Sequence, residues 1–97
     1  MLRNFLRHLH YAIDLVGPEH VGLGLDYVFD VSETEDLLRR HPQLIPTGMD
    51  LPAALAMLQP EALGEIAEDL ARVNLTDAQI KGILGENWMR LASQVWR

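Results

Sequence analysis

The run His20-Val21-Gly22-Leu23-Gly24-Leu25-Asp26 constrains this chain more than any other stretch. Elsewhere the sequence reads as helices. Here apolar residues alternate, and a period of two is the mark of a strand. On a strand, Val21, Leu23 and Leu25 line one face and Gly22, Gly24 and Asp26 the other. The first face suits packing beneath helices. The second is nearly bare backbone ending in a carboxylate, and glycine within a strand marks close approach of another group. A lone strand leaves its own N–H and C=O groups unpaired. The segment therefore calls for neighbours that the rest of the chain does not supply.

The helical remainder has clear punctuation. Leu2, Phe5, Leu6, Leu9, Ile13 and Val16 recur at steps of three and four, which predicts one apolar stripe of a helix stopped by Gly17-Pro18. A helix, a tight turn and a short glycine-containing strand make the αβ half of an α/β repeat. Ser32 with Glu35 has the spacing of a capping box, opening a short helix through Arg40. Pro42, Pro46 and Gly48 predict an irregular loop, followed by a short apolar segment from Leu51 to Leu58 with Pro52 in its first turn. Pro60 opens a helix carrying Leu63, Ile66, Ala67 and Leu70 on one face, which Asn74 closes. Thr76 with Gln79 is a second capping box, Gly85 interrupts the helix it starts, and Trp88, Leu91, Ala92 and Val95 extend the apolar pattern. There is no internal repeat and no low-complexity tract.

Composition narrows the function classes. Ninety-seven residues allow one domain at most, and a hydrophobic fraction of 48% supports a modest core. With 14 acidic against 8 basic residues the net charge is −6, which argues against a general nucleic-acid binder. The absence of cysteine excludes disulfides and thiolate metal sites. No apolar run approaches the roughly 20 residues that span a bilayer, so no transmembrane segment is expected. Arg3 and Arg7, with no acid before Asp14, faintly resemble a transit peptide, but charges break the apolar run and a core-facing helix is the better reading. Nothing in the sequence assigns a compartment; the cytoplasm is the default expectation.

Four histidines raise a metal hypothesis. His8-x-His10 chelates when it lies on a strand, whereas on a helix of 3.6 residues per turn the two rings point about 200° apart. His20 and His41 have no partner at a ligand spacing, so no metal site is expected within this chain. Gly22-x-Gly24 lacks the third glycine and following helix of a dinucleotide fingerprint. Thr76 to Leu91 has a helix–glycine–helix shape, but Lys81 and Arg90 are its only basic residues and DNA reading is not expected. Trp88 and Trp96 could stack a base or a sugar; at helical spacing, core or interface packing is the expectation. Asp26 is the candidate catalytic residue. It shares a face with two glycines, at the strand end where α/β folds and barrels gather reacting groups.

Two ordered motifs then point to a family. The order His8-Leu9-x-x-x-Ile13-x-Leu15-Val16-Gly17, then His20 to Asp26, resembles the C-terminal part of the membrane (renal) dipeptidase family of zinc peptidases. Leu75 to Leu91, with Gly85-x-Asn87-x-x-Arg90 at its centre, is similar to that family's last helical segment. The resemblance implies a (β/α)₈ barrel of the metal-dependent hydrolase type, cleaving dipeptides at a two-zinc centre. By it, residues 21–26 would be the last barrel strand, and Asp26 the aspartate that moves a proton as water attacks the peptide carbonyl.

Leu25 and Tyr27-Val28-Phe29 depart from the residues usual around that aspartate, which touches substrate preference. The family's zinc ligands come from earlier strands and none is present here. A full barrel takes about 250 residues. The expected fold is therefore α/β by origin, with residues 1–97 a partial domain that is mostly helical as an isolated chain. The expected function is that of a C-terminal portion of a zinc dipeptidase, inactive alone. The alternative is a stand-alone helical interaction module that self-associates through its exposed strand.

Overall fold

Six α-helices carry the chain in the computed structural model, which describes residues 1–96. Helix α1 (Leu2–Val16) is the striped helix, with Leu9 and Ile13 buried and Leu2, Phe5 and Leu6 packed around them. It ends as its sequence implies: Gly17, at φ 90°, turns the chain into a short 3₁₀ turn, Pro18–His20. Helix α2 (Ser32–Arg40) and the 3₁₀ turn Pro42–Leu44 follow, then the short α3 (Leu51–Leu55) with Pro52 in its first turn. Helix α4 (Ala62–Arg72) is closed at Asn74, whose φ of 65° is left-handed. Asparagine tolerates that conformation better than most residues.

Helix α5 (Asp77–Lys81) begins on the Thr76 capping box, complete in both directions. A π turn, Gly82–Glu86, with a non-helical Gly85 at φ 174°, leads into α6 (Asn87–Val95). The kink at Gly85 and the continuation to Val95 match the sequence pattern.

The expected strand is absent. Among the described residues no strand is formed, and the fold is mostly helical. Val21 keeps extended dihedrals (φ −115°, ψ 136°), but no backbone ladder runs along residues 21–26. The physical reason is the one the sequence raised: an extended segment becomes a strand only with a hydrogen-bonding neighbour, and none folds against it here. Its facial alternation survives. Val21 is buried and Leu23 and Leu25 pack on the core.

The Ser32 capping box also fails to form. Asp30 accepts the Ser32 N–H at 2.9 Å instead, and Glu35 turns to Arg39 at 2.7 Å. The acceptor that caps this helix therefore lies two residues earlier than the pattern placed it.

The core is small: Leu9, Ile13, Val21, Leu58, Ile66, Leu70 and Ile83. It joins α1 to α4 and to the turn before α6, with the extended segment lying on it. The accessible surface is 7449 Å². A compact chain of 11.0 kDa exposes about 5,600 Å². The radius of gyration, 16.3 Å, likewise exceeds the roughly 12.5 Å of a compact chain of this length. Much apolar surface is left over.

Candidate functional site

The site is assembled on residues 18–26 by side chains from α6. Asn87 stands at the start of that helix and its carboxamide is fully engaged. Its Nδ2 donates to Pro18 O and to Val21 O, both at 2.8 Å, while its Oδ1 accepts from Arg90 Nη1 at 3.2 Å. Arg90, one turn later on the same face, donates from Nη2 to Glu19 O at 2.7 Å. Trp88 Nε1 donates to Leu23 O at 3.2 Å. Three side chains from the first turn of α6 thus fix four carbonyls of one segment, about 70 residues distant in sequence.

Two glycines make that grip sterically possible. A Cβ on Gly22 would sit 2.7 Å from Cε2 of the Trp88 indole. The close approach expected at this glycine is therefore made by Trp88. A Cβ on Gly82 would sit 2.7 Å from Asn87 Oδ1, so the bare π turn leaves room for the carboxamide to face the segment. Gly24, by contrast, has nothing within 4 Å of its Cβ position.

Asp26 lies at the far end of the gripped segment. It is exposed, at φ 52°, and among the described residues it makes no hydrogen bond or ion pair. With Gly24 and Leu25 it borders a cleft of about 570 Å³ whose opposite wall is Phe5 and the stretch Leu55–Leu58. The cleft is mostly apolar, and the Asp26 carboxylate is its only acid. A second cleft, about 520 Å³, lies at the other end of the segment between His20 and Gly22 and the α6 residues Trp88, Arg90 and Leu91.

The histidines are dispersed. His8 is exposed on α1 while His10 reaches Asp69 of α4, Nε2 to Oδ2 at 2.5 Å, as expected for two residues on different faces of a helix. His20 lies 3.6 Å from Glu19. Among the described residues no three His, Asp or Glu side chains gather as metal ligands. No helix is long and apolar enough to cross a membrane.

Of the core or interface packing expected for Trp88 and Trp96, the core half does not hold. Neither packs in the core; they are 55% and 80% exposed, and the indole N–H of Trp88 serves the segment's backbone. The gripping roles of Asn87, Trp88 and Arg90 and the His10–Asp69 bridge were not read from the sequence. The available signal was the spacing of Asn87 and Arg90, three apart and so on one helical face. The chain matches no family model, no curated protein and no solved structure.

Proposed function

We propose that this chain is the C-terminal portion of a dipeptidase-like zinc hydrolase and that Asp26 is its proton-transfer residue. The observation that carries the reading is the meeting of the two motifs that resemble that family. The Asn87 and Arg90 side chains of the later motif bond directly to the main chain around the earlier one, at Pro18, Glu19 and Val21. The two stretches act as one unit, with Asp26 at its free end. The surplus of exposed surface supports a chain built to pack against more protein.

In this reading residues 21–26 enter a barrel as its last strand, paired by strands outside this chain, and α6 packs behind them. Asp26 Oδ accepts a proton from the attacking water and returns it to the leaving amine. The residues present do not fit a zinc centre, because three converging ligands are needed and none converge among those described. The chemistry assigned to this chain is therefore the proton transfer alone.

The test is a chimera in which residues 8–97 replace the corresponding C-terminal segment of a dipeptidase-family barrel. Zinc-dependent hydrolysis of Gly-containing dipeptides, lost on Asp26→Asn while zinc stays bound, is the expected result. A folded, zinc-loaded chimera indifferent to Asp26→Asn would reject the assigned role, and failure to fold would reject the resemblance. The isolated chain with added zinc is expected to show no turnover.

A further inference from the structure

Among the described residues no carboxylate pairs with the Arg90 guanidinium. Glu86 stands one turn earlier without reaching it, and the Glu19 carboxylate is turned to His20, its Oε1 3.6 Å from Nε2. The guanidinium is nevertheless fixed in place. It donates to two neutral oxygens, Glu19 O at 2.7 Å and Asn87 Oδ1 at 3.2 Å. Its other N–H groups have no partner among the described residues, and arginine presents its donors in a rigid fork. This cation lines the cleft of about 520 Å³, a volume within the range of small-molecule sites. Trp88 forms an adjoining wall, its indole pinned by the bond to Leu23 O and seated where Gly22 lacks a Cβ. Positions two apart do not share a helix face. Trp88 and Arg90 meet in one cleft because both side chains reach across to residues 19–23, with Leu91 between them.

We propose that this cleft binds a small aromatic carboxylate, its carboxylate on the unused N–H groups of Arg90 and its ring against the Trp88 indole and Leu91. A guanidinium fork and the two oxygens of a carboxylate match in both charge and geometry. A flat ring suits the indole, since aromatic pairs gain from offset or edge contact beyond the area they bury. A single negative charge suits the site better than a double one. Arg90 is the only arginine or lysine lining the cleft, Glu19 lies at its rim, and the chain as a whole carries a net charge of −6. The bonds that order both walls are bonds of the fold, so the cleft is organised before a ligand arrives, which lowers the cost of binding. The site does not rest on the hydrolase reading: Asp26 borders the other cleft, at the opposite end of the segment.

NMR of the isotope-labelled full chain, titrated with phenylacetate, phenylacetamide, acetate and inorganic phosphate, tests this. Phenylacetate should shift the Trp88 indole N–H and the Gly22 amide saturably, with a Kd of about 1 mM or below. Phenylacetamide keeps the ring without the charge and acetate the charge without the ring; each should bind at least about tenfold more weakly. No saturable shift, equal binding of any of the other three probes, or shifts centred on Asp26 would overturn the proposal. Gln94→Glu sets a carboxylate on the cleft wall one turn after Arg90 and leaves the bonds to Glu19 and Asn87 in place. It should raise the phenylacetate Kd about tenfold by occupying the guanidinium. Met89→Glu adds the same charge on α6 outside the cleft and should change the Kd by no more than about twofold. Arg90→Lys keeps the charge but loses the fork, and should also raise the Kd about tenfold. Should that variant fail to fold, Gln94→Glu decides. Unchanged binding in Gln94→Glu, or an equal loss in Met89→Glu, would overturn the proposal.

Discussion

Residues 1–21 and 58–96 contain every buried side chain among those described, whereas residues 22–57 contain none. Both regions are helical, and α2 has a strongly two-sided sequence with acids in its first turn and arginines in its last. What separates them is buried contact. Helices α1 and α4 meet across Ile66 and Leu70, which are wholly buried, and α6 is tied to residues 18–23 by side-chain bonds. Helix α2 packs on α3 and the Pro42–Leu44 turn without burying a side chain of any of them, and its own pairs, Glu35 with Arg39 and Asp36 with Arg40, are exposed. Exposed pairs of this kind contribute little, so most of the free energy of folding resides in the first region. Amphipathic pattern alone makes a helix. It does not make a core.

This contrast can be broken from the first region downward. Leu70→Ala or Ile66→Ala removes a wholly buried side chain and should cost about 2–5 kcal/mol in urea unfolding. The same change at Leu37, 44% exposed on α2, should cost no more than about 0.5 kcal/mol. An equal loss at both positions would erase the distinction. Asn87→Ala strips donors from Pro18 O and Val21 O in a partly buried setting and should cost about 1–3 kcal/mol. Asn87→Asp should not rescue it, because an ionised carboxylate has no N–H to give.

Gly22→Ala places a methyl against the Trp88 indole. It should cost about 1–3 kcal/mol and release the indole, visible as a shift in tryptophan emission. Arg39→Ala, in the second region, should change stability by only about 0.3–0.5 kcal/mol. The smallest effect is expected at Asp30. The backbone N–H of Ser32, and then its side chain, hold this carboxyl below the usual carboxylate range. Its contribution is therefore present above that range and lost as pH falls through the lowered value. An NMR titration of the Ser32 amide should report this, and Asp30→Asn should abolish the transition.

The same two regions show where the sequence was readable. The α1 stripe, its stop at Gly17-Pro18, the Thr76 box and the Gly85 kink are local features, and each appears where its spacing places it. Ser32 with Glu35 has the same spacing as Thr76 with Gln79, yet nearby competitors captured both members: Asp30 took the amide and Arg39 the carboxylate. Local patterns cannot rank such competitors. The glycine-marked segment was legible as a place of close approach, and Val21, Leu23 and Leu25 do face the core. Its strand was not realised because strand formation depends on a second chain segment rather than on its own residues. The grip by Asn87, Trp88 and Arg90 spans separations of 65 to 71 residues, beyond the reach of any periodicity. Asp26 was identifiable only as a carboxylate ending a bare face, and its cleft-side placement required the fold.

The account turns on the Asn87 carboxamide, which joins α6 to the segment that ends in Asp26. Hydrogen exchange of side-chain amide protons, followed by NMR, measures that joint directly. Both Nδ2 protons of Asn87 donate to backbone carbonyls, whereas Asn4 and Asn74 are exposed. The Asn87 pair should exchange markedly more slowly than those of Asn4 and Asn74, and Gly82→Ala, which crowds the carboxamide, should remove the difference. Equal exchange at all three asparagines in the unmodified chain would contradict the account.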